Sequence, residues 1–288
     1  MYSQKVSDAT GALGMGWYVN IPDYEGPSAA FTAGVLSGHA TLDSIRAVLS
    51  SGFGLDTSSA KYAMWGYSGG ALASEWAAEL QVQYAPELDF AGAALGGLTP
   101  NITNVLVAVS GTLEAGLIPA GIVGLSTQYP ELLDYLKDAL NQNGTYNATA
   151  FFATRNYTLT EGIVAFINQD ITKYFETGVS ALQAPIPQKV INRDGVMGYH
   201  GVPQMPVFAY KAIKDEVSPI NDTDKLVSRY CDVGATIKYD RNTIGSHTTE
   251  STNGAARAVD FLTQVLNGKY NATGCQVMNV TVNATASM

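Results

Sequence analysis

The chain has 288 residues, of which 46% are hydrophobic and 14% are charged, and its net charge at neutral pH is −9. This composition is typical of a globular protein and excludes an intrinsically disordered one, while the length allows one large domain or one domain with a sizeable insertion. The 16 Lys and Arg residues are scattered, which argues against nucleic-acid binding because phosphate neutralisation takes clustered positive charge. No apolar run reaches the roughly 18 residues that a membrane span needs.

Periodicity predicts alternating strands and helices in chain order, interrupted by a purely helical block between about residues 100 and 190. The predicted strands cover residues 16–21, 61–66, 90–95, 207–212 and 235–239. The predicted helices cover residues 28–50, 69–84, 222–233 and 250–266, and those of the interrupting block 103–115, 129–141 and 162–180.

Alternating strands and helices are typical of an α/β fold with a mostly parallel sheet flanked by helices. A helical block inside that alternation indicates an inserted cap or lid. We therefore predict a first core segment at residues 1–99, a helical cap at 100–195 and a second core segment at 196–270. The remaining residues, 271–288, are predicted to be a glycosylated surface tail tied back by Cys275.

Asparagine-linked glycosylation sequons are unusually frequent in this chain. Eight of the sixteen asparagines begin an Asn-x-Ser/Thr triplet, whereas the Ser and Thr content would give about two by chance. This frequency indicates passage through the secretory pathway, and accidental sequons in a Thr-rich chain are the alternative. The sequons begin at Asn101, Asn143, Asn147, Asn156, Asn221, Asn271, Asn279 and Asn283.

The two cysteines, Cys231 and Cys275, suggest one disulfide in an oxidising compartment, with two unlinked buried thiols as the alternative. The first residues lack the apolar stretch and the cleavage site of a signal peptide. We therefore expect a secreted protein whose sequence as given carries no signal peptide, as in a mature, recombinant or shortened chain.

The sharpest motif is Gly66-Tyr67-Ser68-Gly69-Gly70, which matches G-x-S-x-G. It lies between a predicted strand and a predicted helix, the context of a nucleophile elbow, although a plain glycine turn is the alternative. In such an elbow Ser68 is the nucleophile, and the backbone N–H of Gly69, at a helix N-terminus, faces a developing oxyanion.

A serine nucleophile needs a base, and the chain has three histidines. Elbow enzymes place the nucleophile, the acid and the histidine in that order along the chain. His247 follows the last predicted core strand and fits this order, whereas His39, which precedes the serine, and His200 are interpreted as structural.

The acid is expected after a strand that lies between serine and histidine. Asp215 follows the strand predicted at 207–212, at the carboxyl edge where α/β sheets place their sites. Its alternatives are Glu216 and, behind it, Asp194, Asp222 and Asp224.

Neither a metal nor a nucleotide is indicated, and we predict no cofactor. Cysteines and histidines do not occur at metal-ligand spacing, and no Gly-rich phosphate loop follows a first strand.

Several blocks of the sequence together resemble the fungal secretory lipase family, the lipase A type of α/β-hydrolase. The resemblance covers most of residues 15–275 and is weakest in the predicted cap. The blocks are residues 66–71, Glu75-Trp76-Ala77, residues 84–88, Pro22-Asp23-Tyr24-Glu25-Gly26, residues 42–47 and Lys214-Asp215-Glu216-Val217-Ser218-Pro219.

The resemblance implies an α/β-hydrolase fold with Ser68, Asp215 and His247 as the triad, and it matches Cys231 and Cys275 to family cysteines. It also implies an additional N-terminal region, bearing a second oxyanion donor, before residue 16. We expect this chain to begin too late to contain that region.

The expected function is secreted carboxylic ester hydrolysis, with triacylglycerol implied as the substrate by the resemblance. An esterase that removes acetyl groups from a secreted natural product is the first alternative. A non-catalytic or shortened hydrolase-fold glycoprotein that acts by binding is the second. The expected partner is a lipid or another ester, at a lipid–water interface in the lipase case, and the sequence does not indicate an oligomeric state.

Overall fold

The computed structural model describes residues 2–284, with side chains from residue 7 onward. In this part of the chain, five strands form one sheet in which all neighbouring strands are parallel. The spatial order follows the chain, with Met64 beside Ala93 and Phe208 beside Lys238. The strands are β1 (Ala63–Tyr67), β2 (Gly92–Gly96), β3 (Val207–Ala212), β4 (Ile237–Asn242) and β5 (Cys275–Val280).

Helices cover both faces of the sheet. The helices outside residues 100–195 are α1 (Tyr2–Gly14), α2 (Gly34–Leu49), α3 (Gly69–Tyr84), α10 (Ile220–Asp232), α11 (His247–Asn253) and α12 (Ala255–Leu266). The helices within residues 100–195 are α4 (Ile102–Val109), α5 (Leu117–Ser126), α6 (Pro130–Ala139), α7 (Ala148–Phe152), α8 (Leu159–Phe166) and α9 (Pro185–Asp194). Short 3₁₀ helices at Ala153–Asn156, Ile171–Tyr174 and Gly178–Gln183 join some of them.

The central strands β2 and β3 are buried along their whole length, which explains why their sequences are apolar apart from Lys211 in β3. Successive side chains point to opposite faces of a strand. Leu95 and Ala209 pack in the cluster that contains residues of α2, α3 and α10, whereas Phe208 and Tyr210 pack against α12. The predicted fold class, a mostly parallel sheet flanked by helices, is therefore confirmed.

Helix α3, which follows the candidate nucleophile, is held by a close helix–helix contact. A β-carbon added at Gly34 would lie 2.1 Å from the Trp76 ring, and one added at Gly38 would lie 2.8 Å from the Trp76 backbone. Only glycine fits at such a distance, so α2 approaches α3 along its small residues. Trp76 is 1% exposed, and this contact fixes the helix that begins at Gly69.

The strand predicted at residues 16–21 is absent. These residues are irregular, and Tyr18 and Ile21 are 72% and 67% exposed. A strand needs a hydrogen-bonded neighbour as well as an apolar sequence. In the described part of the chain, the sheet runs from β1 to β5 and this segment does not join it.

The segment predicted as a tail contributes an edge strand. Residues Cys275–Val280 pair in parallel with β4, with Ile237 opposite Cys275. The side chains of β5 are almost all exposed, so the sequence lacks the apolar alternation that marks a half-buried strand. The predicted disulfide is confirmed, because Cys231 at the end of α10 is bonded to Cys275 at the start of β5.

Residues 100–195 leave and re-enter the fold at one point. The Ile102 amide donates to the Gly195 carbonyl at 3.1 Å, and the Met197 amide donates to the Pro100 carbonyl at 3.0 Å. Apolar side chains of the block form a cluster separate from the two that flank the sheet. Both features are typical of an inserted cap, and the domain boundaries themselves stay a prediction.

Candidate active site

Ser68 occupies a strained turn between β1 and α3. Its φ is +54° and its ψ is −115°, a conformation that non-glycine residues seldom adopt. The Ser68 amide donates to the Gly96 carbonyl of β2, and the Ser68 carbonyl accepts from Leu72 in the first turn of α3. These two hydrogen bonds hold the turn, which lifts the serine hydroxyl above the carboxyl edge of the sheet.

The two glycines of the motif differ in what they accommodate. A β-carbon at Gly66 would lie 2.1 Å from the Gly70 carbonyl oxygen, so the chain ahead of the serine has room for glycine alone. A β-carbon at Gly70 would meet no heavy atom within 4 Å. Of these two positions, only Gly66 therefore requires glycine for lack of space.

His247 is the first residue of α11 and lies beside the serine. Its Nε2 is 2.9 Å from Ser68 Oγ, and its side chain is largely buried. Two contacts hold its backbone, because the amide donates to Glu216 Oε2 at 2.9 Å and the carbonyl accepts from the Tyr67 hydroxyl. The histidine therefore presents one ring nitrogen to the serine and the other to the acid.

Asp215 contacts the second ring nitrogen, with its Oδ2 2.8 Å from His247 Nδ1. Its Oδ1 accepts from the amides of Val217 and Ser218 at 3.0 and 2.8 Å. Burial by itself raises the pKa of Asp215, but the hydrogen bond from His247 and the nearby Lys211 ammonium outweigh it and lower this pKa to about 2. The carboxylate is therefore ionised throughout the neutral range.

The alternative acids lie elsewhere. Glu216 is exposed and contacts the backbone of His247, not its ring. Asp194 accepts from the Val35 amide and the Tyr129 hydroxyl. Further acids with partners of their own are Asp222, which accepts from Asn104, and Asp224, which pairs with Arg241.

The two remaining histidines pack on aromatic side chains away from Ser68. His39 stacks on Tyr84 with ring centroids 3.7 Å apart. His200 packs on Trp76, and its Nδ1 lies 3.5 Å from Glu79 Oε2. Neither makes a hydrogen bond to Ser68 or Asp215 among those that the described residues form.

The surroundings of Gly69 leave little room beside its α-carbon. A β-carbon there would lie 3.2 Å from the Tyr24 hydroxyl and 3.6 Å from the Phe31 ring. Phe31 belongs to a turn in which Ala29 and Thr32 have positive φ. Helix α5 packs on this turn, with Gly124 against the Phe31 backbone and Gly121 accepting from the Thr32 hydroxyl. The predicted cap therefore supports one wall of the site.

Sequence reasoning missed Lys211. Its ammonium lies 2.9 Å from Asp215 Oδ2, and its side chain is 0% exposed. The available signal was a lysine within an otherwise apolar strand, because buried lysines are rare unless they are paired.

The sequons differ in exposure. Asn143, Asn156, Asn221, Asn271, Asn279 and Asn283 are exposed, whereas Asn101 and Asn147 are partly buried. The two partly buried ones cap helices, Asn101 at the start of α4 and Asn147 at the start of α7. Glycosylation of each sequon stays a prediction.

Helices that could span a membrane are absent from residues 2–284. The same residues hold no group of three His, Cys, Asp or Glu side chains arranged to bind a metal ion.

Comparison with known proteins places the chain among fungal esterases and lipases. A family model described as "Secretory lipase" matches residues 7–274. The chain is 51% identical to the trichothecene C-3 esterase of Fusarium sporotrichioides, over 96% of this chain and 64% of that protein. It is 42% identical to lipase A of Arthroderma benhamiae, over 94% of this chain and 57% of that protein.

Solved structures agree with this grouping. Candida antarctica lipase A in its closed state has a TM-score of 0.84 and 28% identity, over 94% of this chain and 63% of that chain. The esterase LipA of Xanthomonas oryzae, at 16% identity and a TM-score of 0.66, covers 84% of this chain and 68% of its own and shares the fold. The chain spans 57–64% of the length of the two curated relatives named above. The match over residues 7–274 and these identities show that the chain belongs to the secretory lipase family.

Proposed function

We propose that this chain carries the catalytic centre of a secreted carboxylic ester hydrolase that acts by acyl transfer. The observation that carries the proposal is the continuous contact from Ser68 Oγ through the His247 ring to Asp215, with distances of 2.9 and 2.8 Å. The same arrangement of hydroxyl, imidazole and carboxylate serves acyl transfer on several unrelated folds.

In the first half of the proposed reaction, His247 Nε2 takes the Ser68 proton while Ser68 Oγ attacks the ester carbonyl carbon. The carbonyl oxygen becomes an oxyanion, which the Gly69 N–H stabilises at the N-terminus of α3. The tetrahedral intermediate collapses when the bond to the alcohol oxygen breaks, and His247 gives its proton to the departing alcohol. The products of this half are the free alcohol and an acyl ester on Ser68.

In the second half, water attacks the acyl ester while His247 accepts its proton. The bond to Ser68 Oγ then breaks, the carboxylic acid leaves, and the serine recovers its proton from His247. Asp215 stays ionised throughout, since it is fixed by two backbone amides and has a low pKa. It holds the imidazole in the tautomer whose Nε2 can accept a proton, and it stabilises the imidazolium.

Triacylglycerol is one proposed substrate, supported by family membership. A lipase contacts an aggregated substrate through apolar surface. Helices α4 and α8 of residues 100–195 present apolar side chains to solvent, with Val107 66% and Val164 65% exposed.

The second proposed substrate class is the ester of a secreted natural product. It is supported by the identity of 51% to a trichothecene C-3 esterase, against 42% to a relative named as a lipase. A compact ester of this kind needs neither an aggregated substrate nor a long acyl pocket.

We also propose that the protein is secreted. Support comes from the family description, from the disulfide between Cys231 and Cys275, and from the six exposed sequons. Treatment of the protein from a fungal secretion host with an N-glycosidase tests this, because occupied sequons give a mass decrease that matches the released glycans.

The catalytic proposal is tested by hydrolysis of p-nitrophenyl butyrate beside Ser68→Ala. We expect the variant to lose roughly 10⁶-fold in kcat, the size reported when a serine nucleophile is removed. Equal turnover by both proteins would refute the role of Ser68. A triacylglycerol emulsion and a trichothecene acetylated at C-3 then separate the two substrate classes.

A further inference from the structure

Lys211 lies in the interior of the protein, one residue before the end of β3. Its side chain is 0% exposed, and the other five residues of the strand are buried as well. A buried ammonium without partners is costly, so its contacts indicate why a lysine is kept there. Those contacts connect the loop after β2 to Asp215 of the candidate active site.

The ammonium joins two segments of the site. Lys211 Nζ donates to the Leu98 carbonyl, in the loop after β2, at 2.7 Å and contacts Asp215 Oδ2 at 2.9 Å. The same Oδ2 accepts from His247 Nδ1, while Oδ1 accepts from two backbone amides. Each carboxylate oxygen therefore has two donors, and one donor to Oδ2 is the Lys211 ammonium.

We infer that Lys211 is a positioning residue of the triad, which holds Asp215 Oδ2 toward His247 and offsets part of the negative charge that the imidazole faces. The inference rests on the proposed function, because it assigns a role through Asp215 and His247.

The electrostatic environment supports this role. Burial lowers the pKa of Lys211, and the ion pair with Asp215 partly restores it. The other charged groups around the pair have partners of their own, and Glu216 is exposed as well. These groups are Asp222 with Asn104, Asp224 with Arg241, Glu250 and Asp240 with Arg257, and Glu216 with the His247 amide.

Removal of the Lys211 ammonium is expected to shift the pH dependence of kcat/KM in one direction. Without Lys211, the full charge of Asp215 acts on the imidazole and favours its protonated form, which cannot accept the Ser68 proton. The acidic limb of kcat/KM therefore moves to higher pH, by about one unit for a charge at this range. On the acidic limb the ratio of wild-type to variant kcat/KM is then roughly tenfold, and it approaches one above the limb.

A purely structural role predicts a different result. Loss of packing lowers the amount of folded enzyme at every pH, so the ratio of kcat/KM is then independent of pH. The pH dependence of this ratio separates the two explanations, and KM is expected to stay constant because Lys211 does not line the space above Ser68.

The experiment measures kcat/KM for p-nitrophenyl butyrate from pH 5 to 9 with wild type, Lys211→Met, Lys211→Gln and Ser68→Ala. Lys211→Met matches the length and volume of the buried side chain without its charge. Lys211→Gln keeps a donor for the Leu98 carbonyl and serves where the methionine variant folds poorly. Ser218→Ala is the matched stability control, because the Ser218 hydroxyl donates to the same carbonyl at 3.1 Å and carries no charge.

We expect the acidic limb to move upward in both Lys211 variants and to stay in place in Ser218→Ala, although all three melt at lower temperature. A limb that stays in place in the Lys211 variants, or a pH-independent ratio, overturns the role of Lys211. Activity that survives Ser68→Ala instead overturns the proposed function, so the two failures are distinguishable.

Discussion

The closest backbone approach in the nucleophile elbow gives a prediction about a single methyl group. In Gly66→Ala the added carbon would lie 2.1 Å from the Gly70 carbonyl oxygen and 2.2 Å from its carbon. Carbon atoms pack at about 3.5–4.0 Å, so the overlap exceeds about 1 Å. All the contacted atoms belong to the backbone, and no rotamer change relieves the clash.

The expected cost follows from that geometry. Overpacking a well-packed site costs about 1–3 kcal/mol, and a clash with backbone lies at the upper end or beyond. A loss of about 3 kcal/mol corresponds to a fall in Tm of roughly 6–12 °C in a protein of this size. The elbow also shifts, so labelling of Ser68 by a fluorophosphonate is expected to slow.

Gly70→Ala is the matched control, since the added carbon meets no heavy atom within 4 Å. Alanine is the better helix former by about 1 kcal/mol, so the Tm of this variant is expected to equal or exceed that of wild type. Differential scanning calorimetry of the three proteins decides the matter. The reasoning would be refuted by a Gly66→Ala protein with the Tm of wild type, or by a Gly70→Ala protein whose Tm falls as far as that of Gly66→Ala.

Two further predictions concern stability. Burial raises the pKa of Asp194 to about 6, although the hydrogen bonds from the Val35 amide and the Tyr129 hydroxyl oppose this rise. The folded state therefore binds the carboxyl proton more tightly than the unfolded state does. As a result, the free energy of unfolding falls as pH rises from about 4 to 6. Measured by urea unfolding, this loss is expected to reach up to about 3 kcal/mol relative to Asp194→Asn, and parallel pH profiles of the two proteins would contradict it. Replacing Cys231 and Cys275 together by serine opens a loop with a sequence separation of 44 residues, which is expected to cost about 4 kcal/mol; an unchanged urea midpoint would show that the bond contributes nothing to stability.

The sequence predicted the parts of this molecule whose signals are local. The elbow around Ser68 combines a strand, a glycine-flanked serine and a helix within a short segment, and the next two strands of the sheet, β2 and β3, are buried on both faces. The order of serine, acid and histidine then selected Asp215 and His247, which the structure brings into one chain of contacts.

The parts that depend on distant neighbours were not predictable. Lys211 looks like an ordinary charged residue until the loop of Leu98 and the turn of Asp215 are folded around it. The strand predicted at 16–21 has the right composition, yet no neighbouring strand pairs with it in the described part of the chain. The opposite holds for β5, which pairs with β4 although its sequence lacks a buried face.

The antiparallel bridge between Asn101 and Val196 has a consequence for how this fold diversifies. Hydrogen bonds join the two ends of the intervening block. The block therefore leaves and returns to the sheet at one point, whatever its internal length. Its helices bury their apolar side chains largely among themselves, so substitutions there leave the packing of the sheet intact. A lineage can therefore rebuild the surface of this block while it inherits the same sheet, and relatives that differ in this surface are the expected product of such exchange.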